Sequence, residues 1–311
     1  MNKLESDPGK DYYTGALAAG MTALIWAVQA IILKLAVVSV SPSLVVWFRF
    51  VFAFFVILLF SLMSDKKETL RILRRPPPKA ILAGLFLGLN YYGFIKGLEL
   101  TTPSNAQIGI QLGPFGLALF GIFHFKEKLN NLQKSGLILT PVGLVLFFKD
   151  QLGNFLYNEQ ALIAGYIWIL FAAATWIAYS VLQKILGQTL KNSLVLMVVY
   201  LTAGLLFTPL TTPPQLLDWT PLIWTMMLIL GGTTLLSYGF LAFSLSKTPA
   251  SVVSMIITVN PLLTIFIMTN ISAENSWGLL PERIQGLGNA GALFVVAGVI
   301  LSVYRPRKKL L

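Results

Sequence analysis

Residues 92–103 read YGFIKGLELTTP, and residues 238–249 read YGFLAFSLSKTP. Tyr92-Gly93-Phe94 stands before Thr102-Pro103 as Tyr238-Gly239-Phe240 stands before Thr248-Pro249, at equal spacing (103 − 92 = 249 − 238 = 11). Both copies sit in almost unbroken apolar sequence. A repeat in that setting marks a duplicated membrane protein, an arrangement with which many transporters build two alternating gates around one central site.

Composition points the same way. Of 311 residues, 56% are hydrophobic and 11% charged, with a mean hydropathy of +0.76; a soluble domain carries about 25% charged residues. The formal charge of +11 lies in short connections and tails. That is the pattern of membrane topology and not of a nucleic-acid-binding face. There is no cysteine and a single histidine, His124, which excludes disulfides, cysteine nucleophiles, thiolate sites and multi-histidine metal centres. No metal or cofactor is expected. An enzyme would need nucleophile, acid and base converging at one depth, and acids here are confined to edges and loops, so no enzyme is expected either.

Ten segments approach the roughly 20 apolar residues that a spanning helix needs. They lie at 13–37, 43–63, 80–99, 103–123, 133–148, 161–184, 193–210, 221–245, 250–270 and 284–304, the fifth being short. No cleavable signal is expected, because Lys3 and Lys10 mix with Glu5, Asp7 and Asp11 and the following run is too long for a signal peptide. Placing the N-terminus in the cytoplasm puts 18 Lys and Arg inside and 4 outside, with Arg49 in a helix. The positive-inside rule therefore predicts both termini cytoplasmic.

The halves align beyond the opening echo. Trp26 and Lys34 match Trp176 and Lys184, Pro114 and Glu127 match Pro261 and Glu274, and Gly136 and Gly143 match Gly291 and Gly298, each pair at one spacing. Chance sharing of Trp, Gly and Pro does not readily produce such spacings in one order. Five helices per copy is odd, so the copies must be inverted. The expected fold is all-α integral membrane, with ten transmembrane helices as two inverted five-helix repeats. The divisions are a tail at 1–12, repeats at 13–153 and 154–304, and a basic tail at 305–311.

The repeat resembles the EamA-type unit of the drug/metabolite transporter superfamily. The resemblance rests on TTPSNAQIGIQLGPFGLALFGIFHFKEKLNNLQKSGLILTPVGLVLF from Thr101 to Phe147 and KTPASVVSMIITVNPLLTIFIMTNISAE from Lys247 to Glu274, with Trp26 and Arg49-Phe50 earlier. It implies a multi-pass protein of the bacterial inner membrane that moves amino acids or other small metabolites, commonly outwards. Some relatives import nucleotide-like metabolites such as S-adenosylmethionine. The second copy departs from the pattern through an insertion around Asn275 to Arg283, which separates the role of Glu274 from that of Glu127.

Polar side chains at mid-depth are costly unless they face protein or water. The candidates are Gln29, Asn90, Asn105, Gln107, Gln111, Thr175, Ser180, Thr233, Thr234, Ser237, Ser254, Thr258 and Asn260, with no carboxylate among them. Gln107 and Gln111 share a helical face. Trp26, Tyr91, Tyr92, Trp176, Tyr179 and Tyr238 stand beside these amides and complete the expected substrate site. Interhelical hydrogen bonding and packing are the alternative roles of the amides and rings. Pro114 and Pro261 free the carbonyls of Ile110 and Ile257, and with Gly93 and Gly239 they are the expected hinge and gate residues. Arg49 lies six residues inside its span (49 − 43) and is expected to snorkel or to hold carbonyls, a substrate carboxylate being the alternative.

The lack of a central carboxylate predicts a facilitator or exchanger of neutral, zwitterionic or ring-bearing solutes. Export of amino-acid-like metabolites is the leading expectation. Import of a purine-bearing metabolite is the alternative, and a non-transporting scaffold the second. The expected partners are a small-molecule substrate and lipid, with a monomer, or alternatively a dimer, as the functional unit.

Overall fold

The computed structural model describes residues 8–101, 103–149, 160–211, 213–270 and 287–304. The insertion around Asn275 to Arg283, and Glu274 before it, lie outside them. Among the described residues there are helices and no strands. The helices are α1 (Pro8–Ala36), α2 (Pro42–Arg74), α3 (Pro78–Leu100), α4 (Pro103–Ile110), α5 (Leu112–Phe123), α6 (Asn131–Phe147), α7 (Gln160–Leu186), α8 (Asn192–Phe207), α9 (Pro221–Lys247), α10 (Ala250–Ile257), α11 (Asn260–Thr269) and α12 (Leu287–Val303). Seven spans are long and apolar enough to cross a membrane, one of them being Ala250–Met268, which joins α10 to α11; Leu112–Phe123 and Leu287–Val303 are shorter.

Local chemistry sets the ends and breaks. Proline opens α2, α3 and α9 at a first-turn position, where its missing N–H costs nothing. Asn130 and Gln133 form a reciprocal capping box at the start of α6. Within α2 the helix breaks at Asp65 (φ −158°, ψ 78°), whose carboxylate accepts from the N–H of Glu68 at 3.1 Å. The break falls two residues after the 43–63 segment expected to span, and a basic helical segment follows it.

Two spans are interrupted at equivalent places. Gln111 separates α4 from α5, and Thr258-Val259 separate α10 from α11. Each break lies three residues before a proline, Pro114 or Pro261, which can donate no bond to the preceding turn.

The halves are interwoven. The broadest packing pairs are α6 with α12, α3 with α7, α1 with α9, and α2 with α8. Each joins the first half to the second. The equivalent helices α6 and α12 touch through glycine. A β-carbon on Gly143 would lie 2.8 Å from the carbonyl of Gly291, and one on Gly298 would lie 3.1 Å from that of Gly136. Residue 136 faces 298 and residue 143 faces 291, so these helices run antiparallel, as inversion requires. The start of α1 meets the end of α12, with the Tyr12 hydroxyl donating to the carbonyl of Val303 at 3.1 Å. The described ends of the chain, the start of α1 and the end of α12, therefore lie on one face.

One pair breaks the symmetry. On that face α5 packs broadly on α10, whereas among the described residues the equivalent pair on the opposite face, α4 and α11, packs less broadly.

Candidate substrate site

Between the halves lies a cavity of about 100 Å³, far above the roughly 10–15 Å³ that one water needs. Its wall takes Trp26 and Gln29 from α1, Arg49 from α2, Asn90 and Tyr91 from α3, Gln107 from α4, Gln111 from the first break, Pro114 from α5, Trp176 from α7, Tyr238 from α9 and Asn260 from α11. Leu33, Phe94, Ile95 and Ile110 carry it towards the face where α1 and α3 end. That is the face where α4 and α11 pack less broadly among the described residues.

Nine of the expected substrate residues line this cavity: Trp26, Gln29, Asn90, Tyr91, Gln107, Gln111, Trp176, Tyr238 and Asn260. The other four lie outside the wall. Tyr92 turns away to rings on α7 and α8, 5.8 Å from Trp168 and 5.5 Å from Phe207. Tyr179 is wholly buried behind Tyr238, their rings 5.4 Å apart. Ser254 and Thr258 donate to carbonyls of their own turn, Ala250 at 2.7 Å and Met255 at 2.5 Å. The hinge candidates divide as well. Pro114 lines the cavity, and Gly93 lets α3 approach the carbonyl of Trp168, 3.1 Å from a β-carbon placed there. Gly239 has nothing within 4 Å of such a position, so close helix contact does not explain it.

The equivalent tryptophans meet. Trp26 and Trp176 lie 6.1 Å apart edge to face, and Tyr238 stands 5.6 Å from Trp26 and 5.7 Å from Tyr91. These rings floor the cavity from both halves. Asn90 spends an amide N–H on the carbonyl of Ala172 at 2.8 Å. Gln29 and Gln111 each keep a buried side-chain oxygen with no hydrogen-bond partner. An unpaired buried acceptor costs about 1–3 kcal/mol.

Arg49 departs from the sequence expectation. It does not snorkel; it is 1% exposed and belongs to the cavity wall. Its Nε donates to the Thr234 hydroxyl at 2.9 Å and an Nη to the Tyr91 hydroxyl at 3.4 Å, and its guanidinium carbon lies 4.6 Å from the Tyr91 ring centre. Among the described residues Arg49 forms no ion pair. The signal was present in the sequence as the one basic residue within a span, but nothing there told its direction. Lys96, by contrast, pairs with Glu99 at 2.7 Å, and His124 is exposed at its edge.

Below the aromatic floor, the face of the chain ends is closed by Glu127. Its carboxylate accepts from the N–H of Ala250 at 2.7 Å and from the N–H and hydroxyl of Ser251 at 3.0 and 2.8 Å. Lys184 lies 3.0 Å away and also donates to the carbonyl of Thr248 at 3.3 Å. An anion at a helix start meets free N–H groups and the positive end of the helix dipole. Burial pushes the Glu127 carboxyl up, but Lys184 and the α10 donors outweigh it and hold it below the ordinary range. The loop after α5 in one half thus caps α10 in the other.

A cavity between two halves of a bundle of apolar helices is the arrangement on which many membrane transporters are built. The comparisons name its kind. Residues 13–149 and 163–304 each match the EamA-like transporter family, so the chain belongs to that family and is built from two copies of its unit. It is 32% identical over 290 residues to an "Uncharacterized transporter" of Haemophilus influenzae, covering 93% of this chain and 94% of the relative. It is 30% identical over 297 residues to the "Uncharacterized inner membrane transporter YhbE" of Escherichia coli K12, covering 94% and 92%. A "Probable amino-acid metabolite efflux pump" of Escherichia coli K12 is 21% identical over 304 residues, covering 94% and 95%. A crystal structure 18% identical to the chain shares its fold, with a TM-score of 0.71 over 93% of this chain and 97% of that one. The chain is a multi-pass transporter of the inner membrane.

Proposed function

We propose that the chain is a secondary transporter that moves small amino-acid-like metabolites across the inner membrane by alternating access, as an exporter or a facilitator/exchanger. Ten spans in two inverted repeats, with both termini cytoplasmic, would place the Glu127 closure on the cytoplasmic side. The carrying observation is the broken symmetry. Among the described residues α5 packs on α10 more broadly than α4 packs on α11, an imbalance expected of one end state of a carrier with two equivalent gates. Exchanging those contacts between the gates gives the other state. A single chain holds the whole cavity, which supports a monomer as the working unit.

The cavity supports small solutes with both polar and ring character, since amides and aromatic rings share its wall. The name of the efflux-pump relative adds weight to amino-acid metabolites. Counterflow in proteoliposomes across labelled L-amino acids, nucleosides and S-adenosylmethionine tests the reading. Saturable exchange of an amino acid supports it; preference for a purine-bearing solute would replace the substrate, and no exchange of any solute in the panel would defeat the proposed substrate and exchange mode.

A further inference from the structure

We infer that Arg49 is the carboxylate-binding residue of the cavity, so that the transported solute carries an α-amino carboxylate; the inference rests on the transport reading above. A guanidinium has five N–H donors and stays charged at any physiological pH. The bonds to Thr234 and Tyr91 use two of them. They also fix the plane of the group, because Thr234 gives its own proton to the carbonyl of Leu230 at 2.7 Å and can only accept from Arg49. A fixed cation with spare donors, 1% exposed, on the cavity wall and without an ion pair among the described residues lacks its counter-charge. Burying one member of an ion pair alone is unfavourable, and a bound carboxylate supplies the other.

The second observation is independent. Gln111, 6% exposed, and Gln29 hold acceptor oxygens with no donor in the same cavity. A substrate ammonium would satisfy them, helped by the ring faces of Trp26 and Trp176. One cation, two empty acceptors and aromatic walls match a zwitterion in charge. A phosphate dianion fits worse, since Arg49 is the one cationic side chain in the wall. S-adenosylmethionine carries the same α-amino carboxylate as an amino acid, whereas a nucleoside does not.

The test uses the full chain in proteoliposomes. The amino acid exchanged best in the counterflow panel competes with its own carboxamide and its decarboxylated amine. Both analogues are expected to bind about ten- to hundredfold more weakly, the range of a lost hydrogen bond to a charged group. Arg49→Gln is expected to raise KM by a similar factor and to erase discrimination against the carboxamide, with Arg49→Lys recovering part of it. If Arg49→Gln fails to fold, the wild-type competition series decides alone. Equal competition by the carboxamide, or a Gln variant that still discriminates, overturns the inference. Exchange of nucleosides in preference to every amino acid overturns it while leaving transport standing. Absence of all exchange removes the proposed substrate and exchange mode, and this inference with them.

Discussion

Glu127 and Ser251 lie 124 positions apart, yet the carboxylate of Glu127 takes both the backbone N–H and the hydroxyl of Ser251, at 3.0 and 2.8 Å. With Lys184 they make a small polar latch that ties the halves on the closed face. Removing its charge should loosen that face. In Glu127→Gln, a cysteine placed at buried Ser254 should react with an impermeant maleimide from the side of the chain ends about tenfold faster than in the parent, the scale of one charged hydrogen bond. The chain has no cysteine, so the label reads one site. An unchanged rate would show that packing, and not Glu127, closes the face.

The pH dependence of the latch has a definite sign. A carboxyl held below its unfolded value of about 4.3 contributes stability that is complete above that value and is lost as pH falls through the lower folded one. The closed face should therefore stay closed from neutral pH down to about pH 5, opening only in stronger acid. Labelling at position 254, taken at each pH as a ratio to the rate of the same thiol in the denatured chain so that thiolate ionisation cancels, should be flat across that range, and flat at a higher level in Glu127→Gln. A rise in the parent between pH 7 and 5 would assign the closure to another group.

At its glycines the seam between α6 and α12 has no room for a β-carbon. At Gly143 a β-carbon would meet the Val295 nitrogen at 2.6 Å and the Gly291 carbonyl at 2.8 Å. Gly143→Ala should destabilise the protein by about 1–3 kcal/mol, the usual cost of overpacking. Gly20, with nothing within 4 Å, is the control, and Gly20→Ala should be neutral or stabilise by up to about 1 kcal/mol. Thermal unfolding in one detergent compares them.

Trp176 and Gln111 line the cavity and Tyr92 does not. Trp176→Ala and Gln111→Ala should each lower kcat/KM for the exchanged solute by about tenfold or more, the scale of an aromatic or polar contact in a buried site. Tyr92→Phe should leave it within about twofold, as expected for a site that loses no substrate contact. Equal effects of all three, measured by counterflow, would dissolve the site assignment.

No carboxylate lines the cavity, which leaves no acidic group there to carry a proton. Substrate-driven exchange should proceed without acidifying the lumen of proteoliposomes, as read by a trapped pH dye. Acidification that persists in His124→Ala would mean that a proton moves by another route.

Much of this was legible in the sequence. The repeat at Tyr92 and Tyr238 and the prolines at 114 and 261 announced the duplication and both broken spans, because backbone chemistry follows from residue type. Nine of the expected substrate residues share one cavity. Direction around the helix axis was not legible. Helices that are apolar on all sides give no stripe to orient them, so Tyr91 and its neighbour Tyr92 looked alike although only Tyr91 faces the cavity. Arg49 was misread for the same reason. Its depth suited snorkelling, and only its bonds to Thr234 and Tyr91, residues 185 and 42 positions away, show that it turns inward.

The interweaving of the halves bears on how the chain folds. Its broadest packing pairs each take one helix from either side of residue 150, and the start of α10 is finished by a carboxylate from the other repeat. Neither repeat encloses a core of its own. The molecule is in effect an obligate heterodimer carried on one polypeptide: the helices before residue 150 stay incompletely packed until those after it are made.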